Sequence, residues 1–135
     1  KTLRNIRFVI CITAIGMFHV VSAQTSVYVN ELWGAYLDNG IAADLKYGQS
    51  TLHITGEIEK LGSSLNARDN IDDNYYVQFR CTRGGNRPCI VVFLAPNAPL
   101  EGIANLSRFQ SATMYCEDMK EEDIFLVCYD GRLVQ

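Results

Sequence analysis

Four cysteines, one histidine and two runs of carboxylates are the residues beyond position 23 whose types could do chemistry. Cys81, Cys89, Cys116 and Cys128 are spaced eight residues apart in the first pair and twelve in the last, which is neither a Cys-x-x-Cys redox pair nor a zinc-finger ligand spacing. His53 has no partner motif that would make it a catalytic base. It falls on the polar parity of an alternating segment, and a Ser–His or Cys–His nucleophile needs a base held in place by a third group. Arg83-Gly84-Gly85-Asn86 reads as a hairpin turn and not as a phosphate-cradling loop between strand and helix. No catalytic set remains, so the expectation is a protein that is not an enzyme and carries no cofactor.

The carboxylates gather in two stretches. One holds Asp69, Asp72 and Asp73, the other Glu117, Asp118, Glu121, Glu122 and Asp123, and only Arg68 and Lys120 oppose them. Hard cations take such oxygens, but the twelve-residue calcium-loop pattern is not met, so solvated loops are the plainer expectation and no metal is assigned. With Tyr76 and Tyr115 as aromatic surfaces for stacking, Asp69, Asp72, Asp73, Glu117, Asp118 and Glu121 make the candidate ligand face.

The elements that must hold these residues follow from periodicity. Val29, Leu32, Trp33, Tyr36 and Leu37 recur at helical spacing, which predicts a helix over 24–39 with Thr25 or Ser26 as cap, Asn39-Gly40 as its end, and a further turn over 41–47. From Thr51 the period becomes two, predicting a strand over 51–58 with Gly56 at a bulge or bend. Further strands are expected over 75–82, 89–94, 111–116 and 123–129, with a short helix over 99–106 after the prolines Pro96 and Pro99. Five strands with a helical link between the third and fourth give the layout of the OB-fold: a mainly β chain with an N-terminal helix and a five-stranded barrel. In a hairpin, paired residues lie equally far from the turn. Cys81 and Cys89 are each four residues from Gly85, and Cys116 and Cys128 each six from Glu122. Both pairs are therefore expected as disulfides across neighbouring strands, in preference to either crossed arrangement.

The compartment follows from the first 23 residues. Lys1, Arg4 and Arg7 precede an apolar run from Phe8 to Val21, and Val21-Ser22-Ala23 offers small residues at a cut. That is the order of a secretory signal, and the run is short of the roughly 20 apolar residues of a spanning helix. The expectation is a cleaved segment 1–23 and a single domain 24–135, periplasmic or secreted, with no stable membrane span after cleavage. Three of the 12 basic residues and none of the 15 acidic ones fall in 1–23, leaving 9 against 15 and a net charge of −6. An acidic domain repels phosphate backbones, so nucleic acid is a poor partner. An envelope protein or a small ligand is the expected one.

The stretch Ala42-Ala43-Asp44-Leu45-Lys46-Tyr47-Gly48-Gln49, running into Leu52-His53-Ile54-Thr55-Gly56-Glu57-Ile58, resembles the opening of the exported bacterial tRNA-anti-like OB-fold family. Cys89-Ile90-Val91-Val92-Phe93 resembles that family's cysteine-bearing third strand, and Cys116 and Cys128 resemble the cysteines of its last two strands. The resemblance spans about residues 32–129 and departs at Phe109-Gln110-Ser111, where the family has a glycine before the glutamine. It implies the barrel and the exported location, and no common ligand. The function expected is a non-catalytic binding or interaction module of the bacterial cell envelope. The alternative is an oligosaccharide- or nucleic-acid-binding OB-fold protein.

Overall fold

The computed structural model describes residues 24–64, 74–85, 88–122 and 125–135. The alternating segment that begins at Thr51 forms the longest strand, β2 (Thr51–Ser64), and the barrel is built on it. Leu52, Ile54 and Ile58 point inward and are fully buried. From Ile58 onward β2 pairs antiparallel with β3 (Asn74–Phe79), and β3 pairs with β4 (Ile90–Leu94). Its first half pairs antiparallel with β5 (Ser111–Cys116). The last strand, β7 (Phe125–Leu133), lies parallel to β4 and antiparallel to β5, which closes the ring β2-β3-β4-β7-β5-β2. This is a closed five-stranded barrel of the OB type, mainly β with an N-terminal helix. Phe79, Ile90, Val92, Met114, Leu126 and Cys128 fill it.

Two strands extend the barrel beyond what periodicity predicted. Gln24–Tyr28, expected as the first turn of the helix, is strand β1, parallel to Thr51–Thr55. The cause is tertiary: β3 reaches β2 only from Ile58, and β1 fills the empty edge before it, burying Val27. Asp118–Glu122, expected within a polar loop, is strand β6, a hairpin partner of β7 that buries Met119. The second strand ends at Phe79, not Thr82, and the helix of the β4–β5 connection is α2, Glu101–Ala104 only.

Helix α1 (Val29–Tyr47) packs on β1 and β2 through Val29, Leu32, Trp33 and Tyr36, which join the core. Leu32 is fully buried, and the Trp33 indole N–H donates to the Arg83 carbonyl at 3.0 Å. Gly84 lies against that ring with φ +95°, a backbone that a residue with a side chain rarely adopts. At Asn39 the helix leaves helical geometry (φ −160°, ψ 94°), and the Asn39 carboxamide oxygen accepts from the Ala42 N–H at 3.1 Å. Asn39 thus ends one helical piece and caps the next. Ile103 and Leu106 of the β4–β5 connection pack on the core.

Cys81 is bonded to Cys89 and Cys116 to Cys128, with Cα separations of 6.0 and 5.8 Å. The register differs from the turn-centred one. The β3–β4 ladder ends with Phe79 opposite Ile90, so the first bridge lies just past it. Cys128 is opposite Met119, because β6 occupies the place a direct β5–β7 hairpin would have used. Cys116 and Cys128 meet instead as inward-pointing, fully buried side chains.

Candidate functional site

The outer face of β3, β4 and β7 carries a row of aromatic rings. Ladder register places Tyr76 opposite Phe93, and the parallel β4–β7 pairing brings Tyr129 to the other side of Phe93. The Tyr76 and Phe93 rings meet edge to face with centroids 6.1 Å apart. Phe93 and Tyr129 are nearly parallel at 5.7 Å and 12°. Gly62 of β2 is opposite Tyr76, and a Cβ there would strike the phenol, so the glycine lets the ring lie back over β2. Val91 and Val127, on the outward parity of their strands, are buried to 8% and 2% exposure, so the face has its own thin apolar layer.

The β6–β7 hairpin borders the row. The Lys120 ammonium lies 5.7 Å from the Tyr129 ring centroid and 3.6 Å from the Asp118 carboxylate. Glu121, on the opposite parity, reaches Gly40 of α1. It adds a negative charge near Tyr36, whose phenol is pushed up to about 12 by burial first and by the Asp44 carboxylate second.

The structure brings together only part of the residues the sequence nominated. Tyr76 is in the row. Asp118 is beside it on β6, and Glu117 is an exposed bend between β5 and β6. Glu121 turns away toward the helix. Tyr115 is on a different wall, where the Arg132 guanidinium stacks at 4.0 Å and His53 approaches edge-on at 5.9 Å. Asp69, Asp72 and Asp73 lie outside the described residues. Phe93 and Tyr129 were missed. The unbroken apolar run of β4 hid the orientation of Phe93, but alternation from Leu126 and Cys128 could have placed Tyr129 outward. Among the described residues no group of three or more His, Cys, Asp or Glu side chains could hold a metal ion, and no helix is long and apolar enough to cross a membrane.

No protein-family model matches the chain, and no curated protein does. A solved structure is similar in fold: the crystal structure of a "putative nucleic acid-binding lipoprotein" from Klebsiella pneumoniae. It superposes with a TM-score of 0.61 at 14% identity, over 83% of this chain and 92% of that one.

Proposed function

We propose that this chain is a non-catalytic binding module of the bacterial cell envelope, exported like the tRNA-anti-like barrels its sequence resembles, and that it uses the outer face of β3, β4 and β7. The observation that carries the reading is the Tyr76–Phe93–Tyr129 row, whose Tyr76 and Phe93 stand on the second and third barrel strands, the face with which OB-folds ordinarily engage ligands. Two disulfides in so small a domain support an oxidising compartment. The lipoprotein description of the structural neighbour supports the envelope.

A nucleic-acid ligand is the second reading, favoured by the description of that neighbour and by base stacking on aromatic rows. The net charge of −6 for residues 24–135 weighs against it. Titration of the disulfide-bonded protein with single-stranded DNA, single-stranded RNA and soluble envelope glycans, followed by amide NMR, tests both. Shifts centred on Tyr76, Phe93 and Tyr129 that Y76A and Y129A abolish are expected, with little dependence on salt. Binding that collapses between low and physiological salt selects nucleic acid instead. If none of these ligands shifts the row, this face is refuted.

A further inference from the structure

Where β2 leaves β1 and joins β3, a cleft of about 910 Å³ indents the barrel wall, and Gln78, two residues along β3 from Tyr76, lines it. Tyr28 and Phe109 stand at it with their rings in solvent, 68% and 53% exposed. Phe109 is held there by an unusual backbone. Its N–H donates to the Ile58 carbonyl at 2.7 Å, while the Ile58 N–H donates to the Gln110 carbonyl at 2.9 Å. Two residues oppose one, a bulge whose first residue is left-handed, and Phe109 has φ +69°. Glycine is the usual occupant of that position. A ring more than half in water adds little to the core, so a strained backbone carrying an exposed ring points to recognition.

The charges around Phe109 are paired. Arg80 lies 3.2 Å from Glu57 and 3.9 Å from Glu59, and Arg108 is bonded to Glu59. The guanidinium carbons of Arg108 and Arg80 sit 4.5 and 5.4 Å from the Phe109 centroid. The set has two positive and two negative groups, hence no net field for a polyanion. It presents flat, bidentate donors and acceptors beside aromatic surface. A neutral pyranose fits that chemistry: its C–H face packs on a ring, and its hydroxyls donate to carboxylates and accept from guanidiniums. The phosphates of a nucleic acid would meet Glu57 and Glu59.

We propose that the cleft between Tyr28 and Phe109 binds a neutral oligosaccharide chain. The inference rests on the binding-module reading but names other residues, Tyr28 and Phe109, in place of Tyr76, Phe93 and Tyr129. The test is titration of the disulfide-bonded protein with cellohexaose, chitohexaose, maltohexaose and a single-stranded DNA hexamer, by calorimetry and amide NMR. A hexasaccharide is expected to bind with a dissociation constant below about 1 mM, independent of salt, shifting the amides of Tyr28, Thr55, Arg80 and Phe109. Y28A and F109G should each weaken it about tenfold or more, with Y76A and Y129A neutral. F109G relieves the backbone, and Tyr28 is exposed, so both variants keep a cooperative thermal transition. No hexasaccharide binding at about 1 mM overturns the proposal. So does binding that Y28A and F109G leave unchanged, and so does DNA binding that they abolish. Sugar binding at the cleft with no ligand found for the Tyr76–Tyr129 row supports this proposal and refutes the row.

Discussion

Tyr36 and Phe109 are side chains whose surroundings oppose their ordinary behaviour, in charge for the first and in backbone for the second. The Tyr36 hydroxyl donates toward Asp44 at 3.4 Å from a buried ring, and its pKa rises from 10.0 to about 12. A raised pKa means that the folded chain keeps a proton which the unfolded chain gives up. The stability from this phenol is thus whole below pH 10 and lost as pH climbs through about 12. The difference in unfolding free energy between the native protein and Y36F, followed by urea denaturation, should shift against the native protein over that window; parallel profiles would refute the burial argument. At Phe109 the left-handed backbone costs a residue with a Cβ roughly 1–2 kcal/mol. F109G should therefore be more stable than F109A by about 1 kcal/mol, the reverse of the order at an ordinary strand position. Thermal unfolding of the two variants checks it. In the sequence this position stood out only as a departure from the glycine of the family the chain resembles, and the exposed ring did not show there. Tyr28 was hidden, because it was read as the interior of a helix whose true first residue is Val29.

The strands that periodicity missed, β1 and β6, are those whose pairing partner supplies what their own residues do not. Asp-Met-Lys-Glu-Glu of β6 has one apolar side chain, and its strand character comes from the ladder to β7. In β1, Thr25 and Ser26 look like helix caps, and only the vacant edge of β2 makes them a strand. The five barrel strands were legible because each alternates or runs apolar against the core. Gly56 shows how tightly β1 and α1 are set on that frame. A Cβ there would overlap the Val29 side chain at the start of α1 and touch Phe79. G56A should cost about 1–3 kcal/mol as an overpacked contact, although alanine has the better intrinsic strand tolerance. A urea midpoint equal to that of the native protein would show that α1 yields without loss.

At the scale of the whole barrel, the disulfides tie together strands that hydrogen bonding alone joins in a ring. Their pairing was expected from turn-centred registers, and the structure reaches the same pairs by other registers, since a sequence count cannot see that β6 intervenes before β7. The bridges differ in what they hold. Both close short loops, with separations of 8 and 12 residues, so chain entropy gives each roughly 2–3 kcal/mol. Cys116 and Cys128 are fully buried among Leu52, Val92 and Met119, their ladder partners, whereas Cys81 is partly exposed past the end of β3. Replacing the inner pair with alanine removes sulfur atoms from a packed interior and leaves a void, adding about 1 kcal/mol to the lost constraint. In the outer pair Cys89 is buried, but Cys81 opens toward the exposed residues 82–85, so water reaches one end of that bridge. C116A/C128A should therefore lose about 3–4 kcal/mol in urea unfolding and C81A/C89A about 2–3. Equal losses would mean that loop closure alone sets their value and that the inner sulfurs contribute nothing as core.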